Sequence, residues 1–453
     1  VNSLASPAPA AAALPIGGPD PIGGPDPIWN AFRVELRKLG SQLFIRLLAI
    51  AVVLCPFAFA AVLKVQSGTP NDALFGVYVH SSGFAVSLVL LAFAGNWGLP
   101  VIAGLIGGDL FASEDRHGTW KMILTRSATR TDVYVAKLLA AAVLSVAFTL
   151  LLALATIVAG VAFMGAHSLV NLSGVPTSGG EMLLLTVLAW LLCLLPTLAF
   201  TAIAILFSVA TRNGIVGVLG PLLVALITQL LNLIGKGVIV HLLLPGSAFL
   251  GWHGLFTAHR FLGPLVISSL VSVAWIVACV WASWRILRRR DFLTSAVESR
   301  TDWRTPVKAV AVTAALVAVL ALLSNAGPTG DTEHRLSASI GEEFNHLTLL
   351  QQELIGRHVP AGAKLDVLPN CNRRAAKAEG PGDWNCSLNV YLPQNHAVPF
   401  SATSVEYDVS VESDGCWKAS SPPSFIGGPA MKDVEGDTVT NPLYMVYGCF
   451  NTL

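Results

Sequence analysis

Long apolar runs separated by short charged segments dominate this chain, and the length of the runs decides its class. Seven of them, roughly 43–63, 84–107, 135–164, 182–210, 214–234, 262–287 and 306–324, are about long enough to cross a hydrocarbon core as helices, which takes about 20 residues. The pattern changes after residue 324. Leu336, Ile340, Phe344, Leu347 and Leu354 recur at helical spacing, and the alternating runs "KLDVLP", "CSLNVYL", "SVEYDVSVES" and "YMVYGC" predict antiparallel strands. The pattern therefore predicts a polytopic α-helical membrane protein followed by a small α+β domain. Composition agrees: 54% of the 453 residues are hydrophobic and 12% charged, against about 25% charged in soluble domains.

Residues 1–28 form an Ala/Pro/Gly tract with a tandem "PIGGPD" and no Lys or Arg. It lacks the basic end and apolar core of a signal peptide and is expected to be a disordered cytoplasmic leader. In "WNAFRVELRKLGSQLF" Trp29, Phe32, Leu36 and Leu39 share one helical face, with Arg33, Arg37 and Lys38 away from it, as in a helix lying along a membrane surface. Counting Lys and Arg in the connections places seventeen on the side of the N-terminus and three, Lys64, Lys236 and Arg260, on the other. That bias predicts a cytoplasmic N-terminus. Seven crossings then put residues 325–453 outside.

Cysteine usage points the same way. Cys55, Cys193 and Cys279 fall within apolar runs, whereas Cys371, Cys386, Cys416 and Cys449 all lie in the final segment, as expected of a domain in an oxidising compartment. Of the three possible pairings, Cys371 with Cys386 and Cys416 with Cys449 is favoured, because the first closes a short Gly- and Pro-containing loop between neighbouring strands. The segment carries fifteen acidic residues against eight basic ones, while the preceding chain carries twelve against twenty.

The second and third runs are joined by "GGDLFASEDRHGTWKMILTRSATRTDVYVAK", which crowds carboxylates and cations between apolar stretches. It reads as two short helices broken near "SATR". By charge alone, a solvated loop that only anchors orientation and a docking surface fit equally. Glu114, Gly118, Thr119, Leu124, Arg130, Tyr134 and Lys137 resemble the pattern of the ABC type 2 exporter permeases, where the second span runs into E-x-x-x-G-T, a short helix, a basic turn and a Lys at the head of the third span. The resemblance covers about residues 29–290 and includes an apolar hairpin, "GVIVHLLLPGSAFLGWHGLF", before the sixth span. Here the basic turn has Ala128 where the family often has Pro, and a seventh span and a disulfide-bearing domain follow the family core.

What the resemblance implies is a six-span exporter-type bundle with its surface helix over 29–304; the apolar pattern and the charge bias add a seventh transmembrane helix over 305–324 and an extracytoplasmic domain over 325–453. It implies an ATPase-coupling surface made of Glu114, Gly118, Thr119, Trp120, Lys121, Arg126, Arg130 and Lys137, with Glu114 capping local amides or pairing with a cation such as Arg130. It also implies partner ATP-binding-cassette subunits, a second permease copy, a bacterial plasma membrane, and no nucleic acid. No G-x-x-x-x-G-K-[ST] occurs in the chain, so no cofactor is expected in it, and ATP with magnesium is expected on the partner. On this reading the chain is a transport subunit rather than an enzyme.

Two other readings remain: a receptor acting through the final domain, and an ion-coupled carrier. The carrier is disfavoured because no Asp or Glu falls inside a run, where coupling ions would bind. His241, His253 and His259 lack Cys, Asp or Glu at ligand spacing, so no metal site is expected. "EEFNH" at 342–346 is not a zinc-protease motif, and its helix is expected to face water. Apolar spans make a lipidic or amphipathic substrate more plausible than a small ion.

Overall fold

The structure, a computed structural model, describes residues 27–66, 73–120, 129–234, 243–257, 262–290, 332–360, 362–374, 382–391, 404–412 and 415–450, with residues 70, 260 and 380. The seventh apolar run, 306–324, and the leader through residue 26 lie outside the described residues.

A helix α1 (Pro27–Ser41) precedes the first membrane-crossing helix, α2 (Leu43–Val65). The second crossing is built from α3 (Gly83–Phe93), a π-helical turn (Ala94–Gly98), α4 (Leu99–Gly107) and α5 (Ala112–His117). Then come α6 (Arg130–Met164), the pair α7 (Gly179–Leu192) and α8 (Leu194–Thr211), α9 (Gly214–Ile234) and α10 (Gly263–Arg288). Among the described residues six helical segments are long and apolar enough to cross a membrane.

Two interruptions have a common cause. The π-turn ends just before Pro100, and the break at Cys193 comes just before Pro196, where proline's missing N–H and its ring disturb the hydrogen-bond ladder of the turn before it. Pro56 and Pro221 sit inside continuous helices. Small residues let these helices approach closely. A Cβ on Gly83 would strike the backbone of Gly160, and one on Gly108 would strike Gly217 and Val218. Gly104 on α4 and Gly108 at its C-terminal cap thus form the small-xxx-small seam that membrane helices use when no hydrophobic effect drives them together.

The final domain is a five-stranded antiparallel sheet in the order β3-β4-β5-β6-β9, built from Asp366–Arg373, Gly382–Tyr391, Ser404–Val411, Cys416–Ser420 and Met445–Cys449, with β7 (Ala430–Lys432) and β8 (Thr438–Thr440) forming a separate hairpin. Helix α11 (Thr332–Leu354) covers it, burying Leu336, Ile340, Phe344 and Leu347 in a core with Trp384, Leu388, Tyr407, Val409 and Trp417. Cys371 is bonded to Cys386 and Cys416 to Cys449. Each bridge joins residues directly opposite one another, tying an edge strand, β3 or β9, to its neighbour.

This cap sits on the end of the bundle opposite α1. A two-stranded hairpin, β1 (Leu169–Val170) with β2 (Pro176–Thr177), rises between α6 and α7. Asn171 Oδ1 accepts from the amides of Ser173 and Val175 and shapes its turn. His346 of α11 hydrogen-bonds to the Ser173 carbonyl at 2.8 Å. On the other face of the sheet Cys416, Met445, Tyr447 and Cys449 belong to one continuous apolar cluster with bundle residues such as Leu169, Leu172, Trp252 and Phe256. The water-facing expectation for "EEFNH" is therefore corrected: Glu343 is buried, because α11 meets the hairpin as well as the sheet.

Candidate functional site

At the α1 end the charged segment between the second and third crossings folds back on the bundle. The amides of Phe111 and Ala112 lie 3.3 and 3.1 Å from Ser208 Oγ on α8, which fixes the start of α5. Gly118 ends α5 in the left-handed conformation, φ +64°, and a Cβ there would meet nothing within 4 Å. Its requirement is one of backbone conformation, so Gly118→Asn should be nearly silent and Gly118→Leu should cost only about 1–2 kcal/mol. A thermal-unfolding series on the purified chain would check this. The turn returns Thr119 to Glu114: its amide donates to the Glu114 carbonyl at 3.1 Å and its hydroxyl to the Glu114 carboxylate. Trp120 is buried with its ring stacked on Phe111, centroids 6.2 Å apart.

Across from this turn, α6 begins with a capping box in which Thr129 and Asp132 exchange side-chain and backbone hydrogen bonds. Two turns on, Lys137 is fully buried. Its ammonium donates to the Leu110 carbonyl at 3.2 Å, to Glu114 Oε1 at 3.1 Å and to Glu35 Oε1 of α1 at 2.8 Å. Lys38, one turn along α1 from Glu35, pairs with the same oxygen, Glu114 Oε1, while Thr119 holds Oε2. Two carboxylates and two ammonium groups thus close a formally neutral cluster that joins α1, α5 and α6, buried except at Lys38, whose side chain is 41% exposed. Breaking one member of such a cluster is costly, about 3–5 kcal/mol, because it strands a buried charge.

A second tie lies beside it. Arg290, just beyond α10, pairs with Asp115 of α5 at 2.6 Å, both side chains being nearly fully buried. Arg130 reaches the carbonyls of Arg288 and Arg290 at 3.3 and 3.2 Å. The expected Glu114–Arg130 pairing is therefore replaced: the partners of Glu114 are Lys38 and Lys137, and Arg130 closes the end of α10. The face assigned to α1 changes too. Glu35 and Leu39 are buried, Trp29 is exposed with Arg33 stacked over it, and Lys38 turns inward. A membrane-surface pattern scores apolar residues only, and it missed that Glu35 is the lone carboxylate in a basic helix, four residues before Leu39.

Of the sequence-selected residues, Glu114, Gly118, Thr119, Trp120 and Lys137 come together here, with Arg130 one contact away. Lys121 and Arg126 lie outside the described residues, as do His241 and His259. Among the described residues no cluster of His, Cys, Asp and Glu has the makings of a metal site.

Residues 31–228 match the model of a family described as ABC-2 family transporter protein. That segment, most of the membrane domain, is similar to the ABC-2 transporter family. The match begins inside α1, includes the whole α1–α5–α6 cluster and ends within α9. The ABC-2 segment thus contains every residue of the Glu35–Lys137–Glu114–Lys38 cluster, whereas α10 and the cap follow it. No curated protein matches the chain.

Proposed function

We propose that this chain is the membrane-spanning permease of an ATP-driven exporter, working with ATP-binding-cassette ATPases on separate chains and with a second permease copy. The observation that carries the proposal is the buried Glu35–Lys137–Glu114–Lys38 cluster inside an ABC-2 domain. Motion delivered by an ATPase passes only through an element with defined positions, and the cluster makes the 112–120 segment, α1 and the head of α6 one body. Docking of an ATPase against that segment would therefore tilt the third crossing with it. ATP and magnesium are assigned to the partner, since the sequence has no phosphate-cradling Lys-Ser/Thr loop.

The outer surface of the bundle supports a second copy and an amphipathic cargo. Asn96, in the π-turn, accepts from the Gln229 amide of α9 at 2.8 Å, and both lie beside the exposed Trp97, Phe93 and Leu226. Amide groups at membrane depth avoid lipid and face protein or an aqueous path. A surface combining amides, aromatic rings and aliphatic side chains suits a molecule with one polar and one apolar part. Purified permease mixed with candidate cassette ATPases should stimulate ATP hydrolysis in the presence of such a cargo. Failure of every genomically adjacent cassette ATPase to bind would sink the assignment.

For orientation we propose that the α1 end is cytoplasmic and the cap is outside. Arg37, Lys38, Arg116, Arg130 and Arg285–Arg290 gather at the first end, and the two disulfides at the other. Arg290, just beyond α10, lies beside α5, and Thr332 begins the cap at the far end. The chain between them thus joins the two ends, and the apolar run 306–324 is suited to that crossing. In a variant otherwise free of reactive thiols, Ser41→Cys should react with an impermeant maleimide only from the cytoplasm and Ser420→Cys only from outside. Labelling of both from one side would remove the seventh crossing.

A further inference from the structure

Helix α11 is buried on two sides, and the side away from the sheet carries an anomaly. Gly174, in the left-handed conformation at the tip of the β1–β2 hairpin, packs so closely on α11 that a Cβ would lie 3.0 Å from His346 Cβ, 3.1 Å from Glu343 Oε2 and 3.2 Å from Leu347 Cγ. Glu343 is only 4% exposed and Ser173 hydrogen-bonds to its carboxyl group, yet Oε2 has no hydrogen-bond partner. Among the described residues it forms no ion pair, although the chain elsewhere pairs its buried carboxylates with cations.

The groups around it make ionisation harder still. Glu342 on the same helix adds a like charge, and Tyr78, from the connection between the first two crossings, lies close enough for the two acids to oppose one another. His346 is one turn on, with Nδ1 engaged to the Ser173 carbonyl, and residues 169–177 of the hairpin contribute no titratable side chain. Burial, then Glu342, raises the Glu343 carboxyl well above the ordinary carboxylate range, and burial with Glu343 likewise raises the Tyr78 phenol.

We propose that the contact between α11 and the β1–β2 hairpin is a proton-operated latch, in which protonated Glu343 holds the cap on the bundle and its ionisation releases the cap. When the cap lifts, Glu343 returns to water and its affinity for the proton falls. A group whose proton affinity is raised in the docked state adds docking free energy that is complete below the undocked carboxylate pKa. That contribution is lost as pH rises toward the docked value, by up to about tenfold in the docking constant per pH unit. The cap would thus close over the outer ends of the crossings in acid and loosen as the outside turns alkaline, independently of whether the exporter assignment is right.

The test is a distance. In the full chain in lipid nanodiscs, with Cys55, Cys193 and Cys279 replaced by alanine, spin labels go at exposed Ser81→Cys on the bundle and Ser404→Cys on the cap. From about pH 4 to about pH 9 the wild-type background should pass from one short distance to a growing long-distance population. Glu343→Gln, which keeps shape and neutrality, should stay short throughout, and His346→Gln should titrate like wild type. A wild-type distance that does not change with pH overturns the latch even if the glutamine variant fails to fold. So does loss of the pH response in His346→Gln with its retention in Glu343→Gln.

Discussion

Glu114→Ala should destabilise the bundle by about 3–5 kcal/mol and uncouple ATP hydrolysis from transport, whereas Arg116→Ala two residues on should do neither. The difference is burial. Glu114 is 5% exposed at its side chain and is shared by Lys137, Lys38 and Thr119, while Arg116 is 60% exposed in its pair with Asp109. An exposed pair of that kind contributes about 0–1 kcal/mol. Removing the Glu114 carboxylate leaves fully buried Lys137 with Glu35 as its remaining carboxylate and frees Lys38, so α1 and the 112–120 segment lose their common anchor. Glu114→Gln should keep the Thr119 contact and recover part of the stability but not the coupling, because the charge balance fails. Denaturation midpoints of the permease and cargo-stimulated hydrolysis by its complex would separate the two effects. A wild-type midpoint together with wild-type stimulation in the alanine variant would show that the cluster neither holds nor couples anything.

The parts of this molecule that were legible from its sequence are those whose physics is periodic. Five of the six described crossings fall within about five residues of the apolar runs, and the second continues past its run to His117, because a run long enough to span lipid folds there as a helix. Four strands were read from the sequence runs, but β6, Cys416–Ser420, was not: only five residues long and buried at three of its first four positions, it carries little alternation of its own. What linear pattern could not supply was pairing. Glu114 was selected through a family motif, yet Lys38 lies 76 residues away and Glu35 farther still, so their meeting is set by how α1 folds back on α6. Glu343 was missed for a related reason. A helix covering a sheet is expected to expose its far side, and only the hairpin from another part of the chain reverses that.

Losing the Cys416–Cys449 bridge should undock the cap as well as weaken it, while losing Cys371–Cys386 should only weaken it. By loop closure the two bridges are worth about 3.7 and about 3 kcal/mol, respectively, for separations of 33 and 15 residues. Location separates them further. Strand β3, stapled by the first bridge, is a mostly exposed edge. Strand β9, stapled by the second, is buried along its whole length, and Met445, Tyr447 and Cys449 join Cys416 in the apolar cluster shared with the bundle. Edge strands fray first when a staple is removed, because only one neighbour holds them. Fraying of β9 would withdraw its side chains from that shared cluster, whereas fraying of β3 would expose surface that already faces solvent. In full-length protein, Cys416→Ala with Cys449→Ala should lower the unfolding midpoint of the cap and lengthen the Ser81–Ser404 distance even in acid. Cys371→Ala with Cys386→Ala should lower the midpoint and leave the distance short. Equal lengthening in both double variants would mean that docking depends on the stability of the cap as a whole, with no special part for β9.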